Sequence, residues 1–61
     1  MKIYRFKNRM MAQVTYEELA EYALRGKEKG SLKDFLKCDL VFEAKNSQEA
    51  LEAFNNYLES N

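Results

Sequence analysis

Hydrophobic and polar positions alternate imperfectly over residues 2–7, with Tyr4 and Phe6 on one side and Ile3, Arg5 and Lys7 on the other. A period of two, filled with aromatic and β-branched side chains, predicts a strand. Met10-Met11-Ala12-Gln13-Val14 reads as a second short strand. Asn8-Arg9 then forms a two-residue hairpin turn, since Asn tolerates the left-handed region, although the usual glycine is missing. Alternation returns over 38–44. Cys38, Leu40, Phe42 and Ala44 point one way, and Asp39, Val41 and Glu43 the other, as in a strand with one buried face.

Between these strands the period lengthens to that of a helix. Thr15 with Glu18 three residues on makes a capping box. Tyr16, Leu19, Ala20, Ala23 and Leu24 fall on one stripe, opposite Glu17, Glu18, Glu21 and Arg25. Gly26 is placed to end this helix (15–25) as a left-handed residue, and residues 25–31 read as a loop. Ser31 with Asp34 caps a short turn that clusters Leu32, Phe35 and Leu36. A last amphipathic helix, 47–59, is capped by Asn46 or Ser47. It carries Ala50, Leu51, Ala53, Phe54, Tyr57 and Leu58 on one stripe, with Glu49, Glu52, Asn55, Asn56 and Glu59 on the rest.

This order predicts one compact α+β domain over residues 1–61. It is a small two-layer unit in which a 2–3-stranded sheet carries two amphipathic helices (15–25 and 47–59) on one face. A two-stranded sheet is rarely stable alone, so a third strand comes from residues 10–14 or from a second copy. The run Phe42-Glu43-Ala44-Lys45-Asn46-Ser47-Gln48-Glu49-Ala50-Leu51 resembles the strand-to-helix turn of many ferredoxin-like and other small α/β domains. The resemblance implies a strand running into a capped helix and transfers no site.

Composition narrows the chemistry. The 61 residues include no His and one Cys, which excludes a zinc finger, a His-based triad and an internal disulfide framework. Cys38 sits on an apolar strand face with no His to activate it, and reads as a small hydrophobe. Glu17, Glu18 and Glu21, and more loosely Glu49, Glu52 and Glu59, occupy polar helix faces and read as solvated. Asp39 and Glu43 would suit only a hard cation, and the EF-hand ligand spacing is absent. Gly26-Lys27-Glu28-Lys29-Gly30-Ser31 lacks the spacing of a phosphate-binding loop and follows a helix rather than a strand. These readings predict no catalytic residue, no metal and no cofactor, hence a protein that is not an enzyme.

Net charge is zero, from 10 basic and 10 acidic residues, but it is unevenly spread. Residues 1–14 hold Lys2, Arg5, Lys7 and Arg9 and no acid, residues 25–37 are also basic, and residues 46–61 carry only acids. The candidate binding residues are Lys2, Tyr4, Arg5, Lys7 and Arg9 on the first strand and its turn, Lys27 and Lys29 in the loop, and Tyr22 at the margin of the helix stripe. A basic strand interleaved with rings can present charge and stacking to nucleic acid, whereas a pI of 6.2 is low for a dedicated module. The same charges can guard an edge strand or dock on a protein. Tyr22 either anchors an interface or covers the core margin with its ring.

So short a chain has little core, which points to a homodimer or a permanent partner. With no signal-peptide core, no membrane-length apolar run and a lone thiol, a cytoplasmic location is expected, away from the membrane. The leading expectation is a non-enzymatic binding protein that docks on a partner protein as a regulator or inhibitor, of the kind phages and mobile elements carry. The alternative is a nucleic-acid-binding regulator using the basic first strand and the 25–37 loop.

Overall fold

The computed structural model describes residues 1–60, with Lys29 described for its backbone only. Three antiparallel strands, β1 (Lys2–Lys7), β2 (Met10–Gln13) and β3 (Leu40–Ala44), pair in the order β2-β1-β3. Asn8 and Arg9 both take left-handed backbone, φ 51° and 64°. Two positive φ values are the mark of a type I′ turn, whose twist matches that of the strands it joins. The hairpin therefore forms without a glycine, and one chain supplies all three strands. Val14 lies just past β2, yet its N–H still donates to the Ile3 carbonyl at 2.8 Å. Cys38 and Asp39 precede β3 rather than opening it. The Asp39 N–H donates to the Phe6 carbonyl (2.9 Å), and its carboxylate accepts the Asn8 N–H (3.2 Å), tying the hairpin turn to the start of β3.

Register decides the faces. Phe6 lies opposite Met11 and Leu40, and Tyr4 opposite Gln13 and Phe42. Cross-strand partners share a face, so these side chains form one surface. Helix α3 (Ser47–Glu59) rests on it. The Phe6 ring meets Phe54 at 4.5 Å and Tyr57 at 5.1 Å, in the tilted and edge-on geometries that ring quadrupoles favour. Tyr4, Ala44 and Ala50 are buried together, with Met11 and Phe42 packed against them. Two alanines at that contact let α3 approach β3 closely. Asn46 rather than Ser47 is the cap, accepting the Glu49 N–H at 2.9 Å.

The first helix departs most from expectation. It runs as α1 (Tyr16–Glu21), then a π-helical turn (Tyr22–Gly26), then a 3₁₀ turn (Lys27–Lys29), and so continues past residue 25. Thr15 caps it with the full reciprocal box. Gly26 does not end it in left-handed backbone, since its φ is −84°. A Cβ at Gly26 would stand 2.6 Å from Tyr22 Cδ1 and 2.7 Å from Phe35 Cδ1, so glycine is there for close approach. The positive φ comes at Gly30, 125°, before Ser31 caps the short α2 (Leu32–Leu36).

The first helix is also rotated from the orientation that its apolar stripe predicts. Glu18, Leu19 and Tyr22 are half-buried and Gly26 is buried, while Tyr16, Ala20, Ala23 and Leu24 are exposed. Glu18 meets Arg5 in an ion pair. Arg5 sits on the central strand β1, so this pair ties the start of the first helix to the middle of the sheet.

Candidate docking surface on the first helix

Three local contacts fix how α1 is turned. At its start, the Thr15 hydroxyl accepts the Glu18 N–H, and the Glu18 carboxylate accepts the Thr15 N–H at 3.0 Å. That carboxylate also holds Arg5. The Thr15 N–H first, and then the Arg5 guanidinium, hold Glu18 below its ordinary pKa against a partial opposing effect of burial. At the far end, the Tyr22 ring packs on Phe35 with centroids 5.5 Å apart, and its hydroxyl donates to the Gly30 carbonyl at 3.1 Å. Glu18, Tyr22 and Gly26 thus form the inward side, so the outward side must carry Tyr16, Ala20 and Leu24.

The π turn sharpens that outward line. In a regular α-helix Leu24 would stand about 80° round from Tyr16. A π turn holds more residues per turn, so it retards the rotation and brings Leu24 back over Ala20. The Lys27 N–H donating to the Tyr22 carbonyl is the bond that defines this turn. Tyr16 is left 87% exposed and Leu24 82%. Glu17, Glu21 and Arg25 flank them, all exposed.

The sequence-derived candidates do not converge on one place. Tyr4 is only 3% exposed, its ring against Phe42, so it cannot stack on a ligand. Arg5 is engaged by Glu18. Tyr22 is the strut described above, its half-buried ring covering the core margin. Lys2, Lys7, Arg9 and Lys27 are exposed. The side chain of Lys29 lies outside the described residues.

Tyr16 and Leu24 are the surface that the periodicity missed, because it assigned them to the core. The available signal was a second line at helical spacing, Leu19, Tyr22 and Gly26, which competes with the stripe through Ala20 and Ala23. Among the described residues there is no cavity, no group of three or more His, Cys, Asp or Glu able to hold a metal, and no helix long and apolar enough to cross a membrane. Cys38 is buried, its Sγ donating to the Lys33 carbonyl at 3.7 Å. Comparison with known proteins finds no family model, no curated protein and no solved structure that matches this chain.

Proposed function

We propose that this chain is a small non-enzymatic binding protein that acts as a regulator or inhibitor by docking the outward face of its first helix on a protein partner. One observation carries the reading: a large aromatic and a large aliphatic side chain, Tyr16 and Leu24, stand almost fully exposed in line on a helix whose rotation is fixed by contacts elsewhere. An amphipathic helix laying its apolar face into a hydrophobic groove is a recurrent way to engage a protein. Tyr is among the residues that most often dominate interface energies. The nucleic-acid alternative has less support, since the rings of the basic strand are buried and one of its cations is already paired. A single thiol suits a reducing cytosol, where we place this activity.

The test is site-specific photo-crosslinking in the native host. A photoreactive phenylalanine analogue is placed at position 16 or 24, with position 52 on α3 as the control. Discrete protein adducts from 16 and 24 but not from 52 support the reading. Adducts of equal yield at all three positions, or at none, overturn it.

A further inference from the structure

We infer that the protein received by this face is a second copy of the chain, the two first helices packing antiparallel about a two-fold axis beside Ala20. This rests on the docking reading above and names its partner. The face is complementary to itself. Turned end for end about Ala20, Tyr16 of one copy meets Leu24 of the other, twice, and Ala20 meets Ala20 where the backbones come closest. Self-complementarity of this kind is what a two-fold interface demands.

Charge agrees with the same direction. Glu17 beside Tyr16 comes opposite Arg25 beside the partner's Leu24, again twice, which offsets the approach of the two Glu21 side chains near the axis. The acids lie in the first turns and Arg25 in the later ones, so antiparallel packing sets the acidic end of each helix beside the basic end of its neighbour.

The exposed surface leaves room for such a pairing. The chain exposes 4773 Å², against about 4,100 Å² for a compact protein of its mass. If each copy covered its excess of roughly 650 Å², the interface would total about 1,300 Å², within the ~1,200–2,000 Å² range of specific interfaces.

The experiment uses the full chain in sedimentation equilibrium from about 1 to 100 µM, a range that brackets micromolar affinity. Wild type is expected to form a dimer. Tyr16→Lys and Leu24→Glu are each expected to weaken it at least tenfold while keeping the wild-type circular dichroism, because both side chains are exposed. Mixing these two variants is the decisive arm. Antiparallel pairing gives the mixed dimer one lysine–glutamate contact and one native contact, so it should associate at least tenfold more tightly than either variant alone. A monomeric wild type, a dimer indifferent to both substitutions, or a mixture no tighter than its parts overturns the inference. The docking reading is judged separately by the adducts at positions 16 and 24. Adducts of twice the chain mass fit both ideas, adducts only to other proteins leave docking without self-pairing, and absence of adducts removes both.

Discussion

Gly26→Ala is expected to destabilise this protein, although Gly to Ala within a helix usually does the reverse. Gly26 has right-handed helical backbone, φ −84° and ψ −26°, so Ala meets no strain there and gains about 1 kcal/mol of helix propensity. Against this, its methyl would stand 2.6 Å from a Tyr22 ring carbon and 2.7 Å from one of Phe35. Neither ring swings away freely. They pack on each other, and the Tyr22 hydroxyl is bonded to the Gly30 carbonyl. Overpacking of this kind costs roughly 1–3 kcal/mol, so the net loss is about 1 kcal/mol. In a domain of this size that lowers Tm by about 4–8 °C, readable by circular dichroism. The double variant Gly26→Ala/Phe35→Leu locates the cause. Thinning the second ring should recover at least ~0.5 kcal/mol beyond the sum of the single effects. A higher Tm for Gly26→Ala, or strictly additive effects in the double variant, would refute the packing argument.

Arg9→Gly should raise stability by about 0.5–1 kcal/mol in urea unfolding, because a residue held at φ 64° is strained unless it is Gly; an unchanged midpoint would count against that strain. Phe6→Ala should cost about 3–5 kcal/mol, comparable with the whole ~3–9 kcal/mol stability of a chain this long, and so leave a poorly dispersed amide NMR spectrum. A native spectrum would show that the contacts with Phe54 and Tyr57 carry less than supposed. The folded-state pKa of Glu18 lies below its ordinary 4.5, so its stabilisation is full above that value and is lost as pH falls through the lowered one. Glu18→Gln should therefore flatten the acid limb of the stability curve, and an unaltered limb would mean that Glu18 is not a source of it.

Elements whose signals were local were readable from the sequence: the alternation in β1 and β3, the Thr15 and Ser31 caps, and the last helix, of whose predicted stripe Ala50, Phe54, Tyr57 and Leu58 are covered while Leu51 and Ala53 are exposed. So was the turn at Asn8-Arg9, since two residues between strands leave few geometries. The α+β class follows from their order. The rotation of the first helix was not readable in this way. On a helical wheel, Tyr16, Ala20, Ala23 and Leu24 form as good a stripe as Leu19, Tyr22 and Gly26, because apolar character says that a face avoids water but not which face has something to meet. The choice was made by groups distant in sequence: Arg5 drawing Glu18, and Phe35 filling the space over Gly26. Burial of Tyr4 and Phe6 beneath α3 likewise depended on which side of the sheet that helix reached. Periodicity is a property of one segment, and so the sequence alone determined the strands, the caps and the existence of the helices, but not the π and 3₁₀ turns that carry the first helix past residue 25. Burial is a relation between segments, and only the tertiary structure decided which apolar face became core and which was left for a partner.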